Sequence, residues 1–178
     1  MKKYEFTGET KTINLSSRTV TLHRIKAVVE FGLVKVGELG GWIEKEENLS
    51  HKGDAWVSGD AVVSENAEVS GNAVVSENAE VRGNAVVRGN AVVCGDAVVS
   101  GDAEVFSVRH VLVIGPIGSR NAFTTFYHDK DNEITVQCGC FIGKIDKFLE
   151  KVTQTHCDSK YALVYRAAVE VAKLQIEL

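Results

Sequence analysis

From Asp54 to Val105 the chain repeats every six residues. Alanine recurs from Ala55 to Ala103 and valine from Val57 to Val105 without a slip, with Gly-Asp, Gly-Asn or Glu-Asn between the units. Strict self-similarity at a fixed period marks a stacked-repeat architecture. Within Ala-x-Val, the two-residue period of a strand puts alanine and valine on one face and x on the other. The next two residues turn the chain in the left-handed backbone region, which Gly adopts freely and Asn and Asp tolerate. Each unit is thus a very short strand plus a corner. Alanine at every first inward position implies a narrow interior. The valines, stiff and suited to strands, fill the middle of each face.

These units resemble the hexapeptide-repeat family, whose fold is a left-handed parallel β-helix of triangular cross-section with three hexapeptides to a coil. The resemblance covers residues 49–106. With the lead-in Gly41-Trp42-Ile43 and Asn48-Leu49-Ser50, the chain is similar to transferase-like repeat proteins of bacterial and phage genomes. The resemblance implies the hand of the helix, which periodicity does not give and which departs from the usual right-handed crossover. The units from Ala55 to Val108 make about three coils, roughly 14 Å of stack at about 4.8 Å between strands. The expected fold is mainly β: a left-handed parallel β-helix of about three coils, with an N-terminal β cap and a small C-terminal α+β domain. The expected divisions are a capping segment 1–48, the repeat 49–106 and the C-terminal domain 107–178.

Residues 4–13 and 19–25 read as short strands around the polar turn Asn14-Leu15-Ser16-Ser17, while 25–31 suits strand or helix. Ile43, Leu49 and Ala55 lie six apart and extend the register backwards, Leu49 being preceded by Asn48 as Ala55 is by Asp54. A cap is needed here because an open terminal coil exposes apolar side chains and unpaired strand edges. His23 and His51 fall in this segment, and the ordinary reading of a lone histidine is structural. Net charge of −4 and a pI near 5.8 give no general attraction to nucleic acid or to anionic membranes. No apolar run approaches the roughly 18 residues of a membrane helix, and the first residues lack the apolar core of a signal peptide. Four cysteines in a chain of 178 residues do not suggest a disulfide framework. The expectation is a cytoplasmic protein, in the host cytoplasm if phage-encoded, with neither nucleic acid nor membrane as partner.

An eighteen-residue spacing sorts the outward positions into three faces. One carries Trp56, Val74 and Val92 with Ser58, Ser76 and Cys94, and no charge; the others mix Glu68, Glu80 and Glu104 with Arg82 and Arg88. The uncharged face should be covered. Since the resemblance implies homotrimers built by packing β-helices side by side, this face is the expected trimer contact. The competing reading has the cap or the C-terminal segment folding over it. The resemblance also implies an alternative activity, acyl transfer from acyl-coenzyme A with a histidine as general base. Residues 52–109 contain no histidine and no inserted loop, so His51 and His110, which bracket the stack, are its only local candidates. The repeat is best read as scaffold.

After Phe106 the register stops. Residues 108–114, 122–128 and 133–138 read as strands, the last two joined by the hairpin signal Asp129-Lys130-Asp131-Asn132. Ile145, Phe148, Leu149 and Val152 recur at helical spacing. A second helix follows Asp158-Ser159, with Val164, Ala167, Ala168, Val171, Leu174 and Leu178 as its apolar stripe and Arg166, Glu170, Lys173 and Glu177 opposite. The loop 115–121 draws the functional expectation. Gly115 and Gly118 let backbone N–H groups approach a ligand, Ser119 and Asn121 offer hydrogen bonds, and Arg120 supplies a cationic fork suited to phosphate or carboxylate. Thr124, Thr125 and Tyr127 extend the candidate binding set. The loop matches no phosphate-binding fingerprint, which requires a strand-to-helix context; a plain turn with a solvated arginine is the bland alternative.

Cys138-Gly139-Cys140 with His156-Cys157 invites a zinc reading, but the C-x-C spacing is tight and adjacent His-Cys rarely ligate one ion. No metal and no cofactor is expected. A nucleophilic cysteine with His110, His128 or His156 as base lacks a local signature. Three functions remain: a non-catalytic oligomeric binder of an anionic, nucleotide-like ligand, an acyltransferase, and a purely structural assembly module. The phage resemblance sharpens the first by analogy into a sponge that sequesters a nucleotide signal of host defence.

Overall fold

The computed structural model describes residues 2–15 and 18–178; Ser16 and Ser17 of the expected turn lie outside these. The chain winds as a left-handed parallel β-helix between a β-rich N-terminal segment and a C-terminal unit of sheet and helices. The strands β1 (Tyr4–Asn14) and β2 (Thr19–Ala27) pair antiparallel, and β2 pairs with β3 (Leu39–Ile43). Nine two-residue strands follow: β4 (Trp56–Val57), β5 (Val62–Val63), β6 (Glu68–Val69), β7 (Val74–Val75), β8 (Glu80–Val81), β9 (Val86–Val87), β10 (Val92–Val93), β11 (Val98–Val99) and β12 (Glu104–Val105). They stack in parallel as β4-β7-β10, β5-β8-β11 and β6-β9-β12, and β3 joins the second stack below β5. The alanine and valine columns are at most 1% exposed. Each buried valine contributes about 1.5–3 kcal/mol relative to exposure.

Below the three full coils lies a further turn. Ile43 pairs with Val63 and Leu49 with Val69, so both stand in the valine column. Six-residue counting back from Ala55 assigns them to the alanine column instead. The register is reset before Ala55, where the chain makes a longer corner through His51 and Gly53. Gly41 takes the alanine position: an added Cβ would meet the Ala61 carbonyl oxygen at 2.7 Å and the Val57 side chain at 2.8 Å.

The corners differ from the expectation in one respect. The residue held at positive φ is the Gly/Glu position, not the Asn/Asp that follows; Glu65 and Glu77 sit there at φ 60° and 63°. Glu65 is secured in that conformation, its N–H donating to Glu44 Oε2 at 2.6 Å and its carboxylate accepting the Gly83 N–H at 2.7 Å. Asn and Asp instead form side-chain ladders up the corners, as from Asn66 to Asn84 (3.3 Å) and on to Asp102 (3.0 Å).

The N-terminal segment closes the lower end. The Lys3 ammonium donates to the carbonyls of Ala55 (2.6 Å) and Gly53 (3.2 Å), and the Tyr4 hydroxyl donates to Leu49 O (2.8 Å). Phe31 stands edge-on to Trp56 at 5.4 Å, with Tyr4 at 6.4 Å. Trp56 is therefore 4% exposed and covered by its own chain. The competing reading holds at this end of the uncharged face, and Trp56 is not free for a partner. Val74 is half-buried and Val92 is 39% exposed.

At the upper end the chain makes a short 3-10 turn at Val108–His110, where the sequence suggests strand. The antiparallel strands β13 (Val111–Ile117), β14 (Ala122–His128), β15 (Ile134–Cys138) and β16 (Phe141–Lys144) form a sheet in that order. Gly115, Pro116 and Ile117 thus belong to β13, and the connecting turn is shorter than the expected 115–121 loop. One face of this sheet lies on the last coil: Tyr127 belongs to the β-helix core, and Thr125 Oγ1 accepts the Val98 N–H at 3.0 Å. On the other face Phe126 and Val136 pack with α1 (Ile145–His156) and α2 (Lys160–Gln175). In α2 the buried side is Ala162, Tyr165, Ala168, Val169 and Ala172, continued by Ile176 just past its end, while Val164, Val171 and Leu174 are 40%, 48% and 90% exposed. The expected stripe is therefore the outer one, apart from Ala168. Small residues let α2 approach the sheet closely, and Tyr165 fills the gap between the helices.

Candidate functional site

A cavity of about 260 Å³ opens where the tip of the β13–β14 hairpin, the β15–β16 turn and both helices meet. The hairpin contributes Ser119 and Arg120, the turn contributes Cys138, Gly139, Cys140 and Phe141, α1 contributes Phe148, Lys151, Val152, Thr155 and His156, and α2 contributes Tyr165. Its floor is aromatic: Phe148 lies edge-on to Tyr165 at 5.5 Å and tilted to Phe141 at 5.5 Å. The His156 ring stacks on Tyr165 at 5.7 Å, and Cys157, at φ 49°, ends α1 directly after it. The other cysteines with which His156 was grouped as a zinc set fall differently: Cys138 and Cys140 line this cavity, while Cys157 is exposed. Among the described residues no three His, Cys, Asp or Glu side chains are grouped to hold a metal ion.

The electrostatics of this cavity set it apart. Arg120 and Lys151 are exposed at its rim, and neither forms an ion pair among the described residues, although most basic side chains of the chain do. Burial, together with the adjoining Cys138, pushes the Tyr165 hydroxyl up to about 12, against the pull of the Arg120 guanidinium. Tyr165 is thus neutral at pH 7. Thr124 donates to Cys138 Sγ at 3.3 Å, and that sulfur lies 4.0 Å from the Tyr165 oxygen.

By contrast, in a hollow of about 190 Å³ near Tyr127 and Asp129 every cation is engaged by a carboxylate. Lys144 pairs with Asp129, Asp131 and Glu133, and Lys130 with Asp102. Burial would raise the Asp129 carboxyl, but Lys144 and the Thr135 hydroxyl outweigh it and hold it below the usual carboxylate range. The balance there is acidic, which disfavours an anion.

The expected site residues divide. Ser119 and Arg120 line the cavity. Gly118, at φ 71°, lies so close to the Tyr165 hydroxyl that no side chain fits, so it is needed for packing beside the site. Gly115 makes room for Phe123, which an added Cβ would meet at 2.6 Å. Asn121 closes the turn at φ 47° and is not among the cavity lining. Thr124 is buried, Thr125 faces the last coil, and Tyr127 is inside the β-helix core. The aromatic floor, Lys151 and Thr155 were missed. Their signal in α1 was Phe148 with the exposed Lys151 and Thr155 nearby, which reads as ordinary amphipathic patterning until the hairpin tip is brought beside it.

The two histidines open to acyl transfer have structural partners. His51 stacks on Tyr4 at 4.3 Å and its Nδ1 accepts the Lys3 N–H at 3.3 Å; burial pulls its pKa down. His110 Nδ1 accepts the Phe106 N–H at 3.3 Å, and its ring lies 4.8 Å from His128. A scan against protein-family models finds no match, and no curated protein matches the chain, so the reading of the cavity rests on its own chemistry.

Proposed function

We propose that the protein is a non-catalytic binding protein whose C-terminal cavity takes an anionic, ring-bearing small molecule of nucleotide type. One observation carries this: two unpaired cations, Arg120 and Lys151, stand beside His156 at the mouth of a cavity floored by Phe141, Phe148 and Tyr165. Cations recognise phosphate or carboxylate oxygens, and the half-buried Phe141 ring, backed by the core rings of Phe148 and Tyr165, offers a heterocycle an aromatic surface. The hydroxyls of Ser119 and Thr155 add polar contacts at the same mouth. A binder without turnover acts by holding its ligand, which suits sequestration of a nucleotide signal. The β-helix then serves as the platform, and a homotrimer packed through Val74 and Val92 would present three such cavities.

The test is calorimetric titration of the full chain with AMP and with inorganic pyrophosphate. Binding is expected for both, and Arg120→Ala and Lys151→Ala should each weaken it about tenfold, the loss of roughly one charge-assisted hydrogen bond. Stabilisation and thioester cleavage with acetyl-coenzyme A, undiminished in Arg120→Ala, would overturn the proposal.

A further inference from the structure

A second hollow adjoins the first cavity at the end of the sheet. It lies on the opposite face, against the last coil, measures about 380 Å³ and is lined by Asp96, Val98, Ala122, Phe123, Thr125, Gln137 and Gly139. The two share Ala122 and Gly139, at the end of the β14–β15 pair. Neither residue puts a bulky side chain between them, and a Cβ added to Gly139 would meet nothing within 4 Å. Only these two small residues are common to both hollows.

The hollows differ in chemistry. The first has the cations. The second has none, and its single charge is the Asp96 carboxylate, which accepts from the Asn78 amide at 3.1 Å. It therefore disfavours phosphate and suits an uncharged ring bearing N–H donors. Phe123, seated against the Gly115 backbone, is 38% exposed and supplies a stacking surface. Thr125 uses its oxygen as acceptor for the Val98 N–H, leaving the hydroxyl proton to donate. The Gln137 amide, held by Ser100 at 3.1 Å and by the Gly139 carbonyl at 2.7 Å, is fixed with one N–H free. The first cavity alone lies below the roughly 300–1,000 Å³ usual for a small-molecule site, so a ligand of ordinary size extends beyond it.

Resting on the reading of the first cavity given above, we infer that the ligand is two-ended, of dinucleotide class. Its phosphates lie at Arg120, one ring lies against the half-buried Phe141, with the core rings of Phe148 and Tyr165 beneath, and a second, neutral ring passes Gly139 to stack on Phe123. The second hollow is thus the specificity subsite of the same site.

The experiment compares inorganic pyrophosphate, AMP and two adenosines joined through a pyrophosphate, titrated into the full chain. The joined compound should bind at least tenfold tighter than AMP, since stacking of one base on an aromatic ring is worth about 1–3 kcal/mol. Phe123→Ala should remove that advantage while leaving AMP within twofold, and Phe123→Tyr should restore it. Because Phe123 also packs on Gly115, Val98→Phe provides a second variant. Val98 lines the second hollow and not the first, and the larger ring would fill it; it too should weaken only the joined compound. AMP binding with no gain for the joined compound, or Phe123→Ala and Val98→Phe weakening both ligands equally, would overturn the two-ended ligand and leave the first cavity standing. If neither AMP nor pyrophosphate binds, both readings fall.

Discussion

Lys3 shows how much one side chain does at the end of a repeat stack. In every coil but the lowest, the carbonyls on the lower side accept N–H groups from the coil below, as Ala73 O accepts from Trp56. The lowest coil on that face has no such neighbour, and the Lys3 ammonium takes its place at Gly53 and Ala55. Burial pulls its pKa down to about 8, against the attraction of Asp54. Between that value and the ordinary 10.5, the unfolded chain holds a proton that the folded chain has released. Stability therefore gains from this group as pH rises through the window, and below it the cost of burying the charge is fully present. Lys3→Met leaves the buried Ala55 carbonyl and the part-buried Gly53 carbonyl without this donor and should cost about 1–3 kcal/mol at pH 7. Urea denaturation should show the gap between wild type and variant widening from pH 8 to pH 10. A gap that stays constant across that range would mean Lys3 titrates normally and is not buried as described.

At the scale of elements, α2 is the place where pattern and structure part. Its sequence carries two apolar stripes, one of branched and large residues and one dominated by alanines around Tyr165. Hydrophobicity alone selects the first. Packing selects the second, because Ala162, Ala168 and Ala172 let the helix sit close on the sheet and Tyr165 reach Phe148. Leu174→Glu should therefore change stability by less than about 0.5 kcal/mol, as a surface substitution does. Ala172→Leu should cost about 1–3 kcal/mol by overfilling the interface; thermal melts of the two variants in the reverse order would show the helix rotated. The repeat strands were legible for the opposite reason: Ala-x-Val states its own inside and outside at every unit, and no rival phase exists. The reset before Ala55 escaped because Ile43 and Leu49 keep the spacing of six while changing column. At the site, Arg120 and Ser119 were legible from a turn rich in Gly and polar residues. Lys151, Thr155 and the aromatic floor were not, since only the meeting of hairpin tip and helix, distant in sequence, makes them neighbours.

For the whole molecule, the question is what covers each edge of the prism. The lower end is closed by Lys3 and Tyr4. At the upper end, β11 is met by Thr125, and β12 by the bridge between Ala103 and Asp129 and by His110 on the Phe106 N–H. The third edge, β10, is different. In the coils below, the N–H groups of Val74 and Ser76 donate upward to Ala91 and Val93, but those of Val92 and Cys94 have no coil above them and no partner among the described residues. Beside this edge the face shows Val74, Val92 and Cys94 without a charge, while its lower part is sealed by Phe31 over Trp56. A short parallel stack with one apolar, partly unpaired face gains from a neighbour that covers it. The predicted contact is therefore narrower than the full face: Val74 and Val92, without Trp56. Wild type should sediment as a trimer, and Val74→Lys, which places a charge at a half-buried position of the contact, as a monomer. Trp56→Phe, enclosed within its own chain, should keep the trimer while lowering the melting temperature. A trimer that survives Val74→Lys, or one that dissociates in Trp56→Phe with folding unchanged, would move the contact off this face.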